Sequence, residues 1–380
     1  SWVYPIVALL PMITAYAFGP ALYASTWLSL VMVVDAAAFA VVMAFGRDRR
    51  VAHIAWWWLG LLLALGPVAL GRIDAVAVAV AIVGVLCLAT APRAAGALLA
   101  VATWIKVWPA ALIAAVFIAV PARLRVALAA IVTSAGILVV TIVLSGGGAN
   151  AFSFITQQAD RGLQIESGLG TFWMWDAFSR RPGASTIYYD TSILTYQLHG
   201  QGVQTAAAVA TPLLALIAAA LLLLGIAIAR RGVPSAELLP PLALAITTSL
   251  ILFNKVGSPQ FVTWLAVPIV LGLATAATGG GPSFRVPAAL GLVIAGLTQL
   301  IYPYLYDQLL ALNPWMLTVL SARNLLYLVL LVWAVRHLVR LLRPGVDLQL
   351  IDESEWLPRV WPFAHVQPTD TAPQTERPSS

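Results

Sequence analysis

Residues 206–229 read AAAVATPLLALIAAALLLLGIAIA, a stretch with no charged residue that is closed by Arg230 and Arg231. At 1.5 Å of rise per residue a helix of this length reaches about 36 Å, more than the roughly 30 Å hydrocarbon core of a bilayer. Comparable apolar runs occur at 26–45, 54–71, 73–90, 124–145, 236–253, 260–278, 286–304 and 316–340. Of the 380 residues 61% are hydrophobic and only 9% charged, where soluble domains carry about 25% charge. The expected fold class is all-α: a polytopic transmembrane helical bundle, whose apolar surface lipid solvates directly. Cys87, the one cysteine, lies in the apolar run AVAIVGVLCLAT. It permits no intrachain disulfide and no thiolate cluster, and no metal or other cofactor is expected. The formal net charge is +6, but the basic residues sit at the ends of apolar runs. They set topology rather than forming a nucleic-acid-binding face.

The positive-inside rule places Arg47, Arg49, Arg50, Arg93, Arg123, Arg125, Arg230, Arg231, Arg285, Arg336, Arg340 and Arg343 in the cytoplasm. That assignment has a cost in parity. Segment 95–120, broken at Pro109, must enter and leave on the same side, as a re-entrant pair with its tip at Lys106-Val107-Trp108-Pro109. Segment 4–22, broken at Pro11 and Pro20, must likewise dip in from outside. Prolines inside membrane segments need neighbours or water to satisfy the freed backbone. The outer set is then residues 2–5, 71–74, the Lys106 tip, a large extracytoplasmic loop at 146–205, residues 254–258 and the connection 303–315. Residues 1–343 read as one membrane domain of a multi-pass cell-membrane protein, and the polar segment 344–380 as a disordered cytoplasmic tail. The sequence opens at Ser1 without Met or a basic leader, which reads as a true N-terminus lying further upstream.

Ionisable groups in or at the lip of a membrane are candidates for function. Lys106, in WIKVWP, needs an anionic partner: either a phosphate, toward which an ammonium acts as a point charge, or a nearby carboxylate. Lys255 precedes Ser258-Pro259, a helix start with serine at the cap and proline at the first position; helix N-termini favour anions. Arg72 and Asp74 form either an interfacial anchor or one wall of a site. Asp160, Arg161, Gln164 and Glu166 in ADRGLQIES could contact sugar hydroxyls or phosphate, or simply face solvent. Trp173 and Trp175, beside Asp176, Arg180 and Arg181, suit a membrane-surface belt. His199 has no metal spacing around it, and Asp35 is a costly carboxylate within a span. No P-loop, G-x-S-x-G, H-E-x-x-H or glycine-rich dinucleotide turn is present. An outward cavity of Lys and Arg beside lipid fits a lipid phosphate.

Three stretches in this order, GRIDAVAVAVAIVGVLC (71–87), RAAGALLAVATWIKVWPAAL (93–112) and NKVGSPQFVTWLAVPI (254–269), resemble the GT-C superfamily of membrane glycosyltransferases. Within it they are most similar to glycosyltransferase family 87, the actinobacterial polyprenyl-phosphate-mannose-dependent mannosyltransferases. WVYPIVALLPM (2–12) and RGLQIES (161–167) also look like members of this group, and the resemblance spans roughly residues 1–340. It implies inverting transfer of a sugar from a polyprenyl-phosphate donor to a lipid- or glycan-linked acceptor on the extracytoplasmic face. Under it, Lys106, Lys255, Arg72 and Arg161 would hold the donor phosphate, and Gln164, Gln260 and Tyr4 would meet sugar or acceptor. The family's catalytic base is an Asp just before the WVYP-like stretch, which places it upstream of Ser1. Asp74 and Glu166 are the weaker candidates for that role within the chain. The donor's polyprenyl chain would lie between spans near the broken segments.

Rival readings use the same residues. A transporter or lipid flippase would carry polar groups through to the cytoplasmic side, whereas the inner halves of most spans here are Ala, Leu and Val. A non-catalytic envelope-assembly scaffold fits the missing Asp. Within enzymes, the donor sugar could be arabinofuranose.

Overall fold

The computed structural model describes residues 4–44, 49–145, 161–343 and 356–357. Arg47, Asp160 and most of the 344–380 tail, all named above, lie outside the described residues. The order is α1 (Leu9–Ala15), α2 (Tyr23–Ala44), α3 (Arg49–Leu65), α4 (Asp74–Leu86), α5 (Pro92–Ile105), α6 (Pro109–Ala119) and α7 (Arg123–Ser145). Then come α8 (Gly170–Ser179), β1 (Thr186–Asp190), β2 (Thr195–His199), α9 (Val203–Ala229) and α10 (Ser235–Leu252). A 3₁₀ turn at Pro259–Leu265 leads into α11 (Ala266–Ala277), followed by α12 (Arg285–Gln299), α13 (Tyr306–Leu310) and α14 (Pro314–Arg340).

Among the described residues, 7 helical stretches are long and apolar enough to cross a bilayer: Pro20–Met43, Arg123–Val143, Val203–Ala229, Ser235–Leu252, Pro259–Ala277, Arg285–Tyr304 and Pro314–Arg340. The chain is a multi-pass helical membrane protein. Its spans are of two kinds. Ser235–Leu252 and Pro259–Ala277 are 89% buried by other helices, while the spans of α7 and α9 are only 17% buried. The first two form the centre. The others turn apolar faces outward, which water would penalise and acyl chains solvate.

Three helices of the bundle are too short to span. α4, α5 and α6 have 13, 14 and 11 residues, about 20, 21 and 17 Å at helical rise. The broken segment 95–120 is thus two half-length helices meeting at Lys106-Val107-Trp108. Pro109 opens α6 at its first position, where a missing N–H is harmless. The expected span at 73–90 contains the 13-residue α4, enclosed by protein along almost its whole length. The expected dip at 4–22 contains a 3₁₀ turn, Ile6–Ala8, running into the 7-residue α1 with Pro11 in its first turn, then the 3₁₀ turn Pro20–Leu22 leading into α2. Close approach of α5 to α7 depends on Gly96: a Cβ there would overlap the Val126 carbonyl.

Above one end of the bundle the described part of loop 146–205 folds over the helices. β1 and β2 pair antiparallel, Thr186 opposite His199 and Asp190 opposite Thr195, which adds a hairpin to the all-α expectation. Residues 163–165 run beside β2, with Leu198 N donating to Leu163 O at 3.0 Å and Gln164 bridging Gln197. Beneath them Leu163, Ile165, Met174, Leu198, Ile301 and Leu317 form a small core of their own. At the opposite end Arg123, Arg230 and Ser235 border one cavity, and Ser235 Oγ donates to Ala119 O at 2.8 Å. In the tail, Trp356 and Leu357 are buried, with Thr278 Oγ1 donating to Trp356 O at 3.0 Å.

Candidate functional site

At the end covered by the loop, four segments remote in sequence enclose a cavity of about 210 Å³. Tyr4 comes from the start of the described chain, Lys106 and Trp108 from the α5–α6 break, and Arg161 from the loop. Asn254, Ser258, Gln260, Phe261 and Trp264 come from the α10–α11 connection. Lys106 is there because α5 stops: its backbone is extended, at φ −149° and ψ 133°, and its N–H closes the last helical turn on Ala102. Its ammonium lies 3.3 Å from Asp74 Oδ2 and 4.8 Å from the Tyr4 ring centroid. Tyrosine and phenylalanine faces attract cations, and Phe261 flanks the same group at 5.8 Å. Asp74 begins α4, is 1% exposed, and accepts Trp264 Nε1–H at 2.7 Å on its other oxygen. An ammonium has three donors, so the single bond to Asp74 fixes Lys106 and leaves it capacity to bind something else. Trp264 also stacks on Trp108 at 5.2 Å and on Phe261 at 4.1 Å, giving the cavity an aromatic wall.

Of the residues expected to hold a phosphate, Lys106 and Arg161 share this cavity, as do Tyr4 and Gln260. Arg161 Nε is buried without a hydrogen-bond partner among the described residues. Lys255 and Arg72 are elsewhere. Lys255 borders a neighbouring cleft, which Arg161 also lines. Arg72 is exposed in a third cavity beside Tyr23 and Trp27, joined to the first only by Tyr4. The helix start after Lys255 is a 3₁₀ turn, and Ser258 makes no side-chain cap there. Neither Asp74 nor Glu166 lines the first cavity, and its described lining contains no carboxylate.

Gln164 and Glu166 serve to anchor the loop. Gln164 N donates to Lys255 O at 3.0 Å, and Gln164 Oε1 accepts Gly257 N–H at 3.1 Å. Gly257 packs so tightly on the Glu166–Ser167 peptide that a Cβ would overlap it. Glu166 Oε2 pairs with Arg323 Nη1 at 3.3 Å, and Glu166 O accepts Arg323 Nη2–H at 2.5 Å. Asn324 Oδ1 accepts from Arg323 Nε at 3.2 Å, and Asn324 Nδ2 donates to Thr171 Oγ1 at 2.7 Å. Burial pushes the Glu166 carboxyl up, against the pull of Arg323 and of a hydrogen bond with Tyr306. The Tyr306 phenol is pushed up by burial and by the Glu166 charge, so it stays a donor. The sequence reading missed Arg323, Asn324, Tyr306 and Trp264. An arginine inside the apolar run of α14 was the available signal.

No known protein family, curated protein or solved structure matches the chain.

Proposed function

We propose that the chain is a GT-C-type membrane glycosyltransferase. It transfers a sugar, mannose by the family resemblance, from polyprenyl phosphate to a lipid- or glycan-linked acceptor at the extracytoplasmic face. One observation carries the reading: Lys106 and Arg161 meet Tyr4 and Gln260 around a small aromatic-walled cavity at one end of an apolar bundle. Its volume of about 210 Å³ falls below the roughly 300–1,000 Å³ of drug-sized pockets. It suits a sugar-phosphate head and leaves the isoprenoid tail to the lipid side of the helices. The chemistry is a single displacement. The acceptor oxygen bonds to the anomeric carbon as the bond from that carbon to phosphate oxygen breaks. Lys106 and Arg161 offset the charge gathering on the departing polyprenyl phosphate. The acceptor proton passes to a carboxylate base; that group is not part of the lining described here.

A through-going transport path fits less well. The central helix α10 has buried hydroxyls at both ends, Ser235 at one and Thr247, Thr248 and Ser249 at the cavity end, but Leu238, Leu239 and Leu242–Ile246 form an apolar stretch between them.

The test is transfer of labelled sugar from polyprenyl-phosphate mannose, or its arabinose counterpart, in membranes holding the full-length protein. Transfer is expected, and Lys106→Ala should reduce it far more than it reduces folded yield. No transfer from either donor by folded protein overturns the enzyme reading. Equal loss of activity and yield returns Lys106 to a structural role.

A further inference from the structure

Beside the first cavity lies a second, of about 360 Å³, within the range of small-molecule sites. Its walls are β1 and β2 on one side and the first turns of α9 on the other, with Gly162, Leu163 and Lys255 between them. Tyr188, Asp190, Gln197, His199 and Gln204 bring side chains of both hydrogen-bonding senses to it. Gln197 is 1% exposed, yet its amide is poorly bonded: Nε2 reaches Asp190 Oδ2 at 3.4 Å, and Oε1 has no partner among the described residues. That oxygen is shut in against Gly162, so the groups open to a ligand are the exposed His199 and Gln204 and the half-buried Arg161 and Asp190.

We propose that this cleft binds a saccharide, and that under the glycosyltransferase reading above, on which this role rests, the saccharide is the acceptor. A hydroxyl both donates and accepts and so serves Arg161 and Gln204 as well as Asp190. A bare anion would satisfy the cations but would face the Asp190 carboxylate. The Tyr188 ring, 44% exposed, offers apolar surface to a sugar face. Arg161 lines both cavities, so donor phosphate and acceptor lie on two sides of one guanidinium.

The test uses the full chain in lipid nanodiscs and three separate probes: a mannose trisaccharide and an arabinose trisaccharide read by saturation-transfer NMR, and inorganic phosphate read by phosphorus NMR line broadening. At least one trisaccharide should bind. Ala208→Trp, which fills the cleft from an exposed position on α9, should abolish the signal without altering thermal unfolding. Gln204→Ala should weaken binding roughly tenfold, the effect of one lost hydrogen bond in a polar cleft. Absence of trisaccharide binding, binding that survives Ala208→Trp, or binding of phosphate alone in the cleft overturns the proposal. A trisaccharide held in the cleft with no transfer from either polyprenyl donor keeps the site and removes only the acceptor role.

Discussion

Arg323 and Glu166 are 3% and 6% exposed, so each is tolerable only because of the other. Removing one partner of a buried pair strands the remaining charge, at about 3–5 kcal/mol. Arg323→Leu should therefore lower the thermal midpoint in detergent sharply and loosen the loop over the bundle. Glu166→Gln combined with Arg323→Met should recover much of that loss; a double variant as unstable as the single would mean that the pair itself is not the cause. At this scale the sequence was informative where an ionisable group stood alone among apolar ones. Lys106 was visible that way; the tyrosine and glutamine that share its cavity were named only through the family resemblance. The same logic flagged Lys255 and Arg72, which border neighbouring cavities. Which way a loop residue turns depends on contacts that no local pattern encodes. Arg323 carried the same signal but was hidden by the length of the apolar run around it.

The α5–α6 break illustrates how elements deliver residues. Proline and charge predicted the interruption, and two short helices meet there. Their fit against α7 relies on the missing side chain at Gly96. Gly96→Val should cost about 1–3 kcal/mol as an overpacked contact, seen as a lower midpoint, and should weaken donor use by moving Lys106. The hairpin was not foreseen. TYQLH alternates as a strand should and TIYYD is rich in strand-forming residues, but they are five residues each and were masked by the aromatic richness of the whole loop. Its near end is tied down by Asp176, whose Oδ2 accepts from Ser185 N and Oγ at 2.8 and 2.7 Å. Those bonds, with help from Arg181, hold the Asp176 carboxyl below its ordinary value of 3.8. A depressed acid stabilises the fold above its unfolded-state value and loses that contribution as pH falls through the folded one. Amide exchange at Ser185, divided by its intrinsic rate at each pH, should thus be flat through neutral pH and rise only under strong acid. Asp176→Asn should raise it at pH 7; an unchanged rate would show the tie to be idle.

For the molecule as a whole, charge placement gives an orientation that chemistry can check. Cys87 is fully buried, so single cysteines can be added to the native chain. A membrane-impermeant maleimide should reach Ser258→Cys from outside intact cells and Gly232→Cys only after permeabilisation. The opposite result would invert the topology and move the cavity to the cytoplasmic face. Hydropathy found the 7 span-length helices, and with them the runs 54–71 and 73–90, whose helices are shorter, but not which spans are central, because lipid and protein interiors are almost equally apolar. That division has its own outcome. Val132 on α7 and Leu223 on α9 are 70% and 66% exposed, and their neighbours are acyl chains that reflow round any oily shape. Ala243 and Ala245 in α10 are 1% and 0% exposed, and their neighbours are other helices of fixed form. An exchange of one aliphatic residue for a larger one should pass unnoticed at the first pair and jam the bundle at the second, although a hydropathy plot scores the two changes alike.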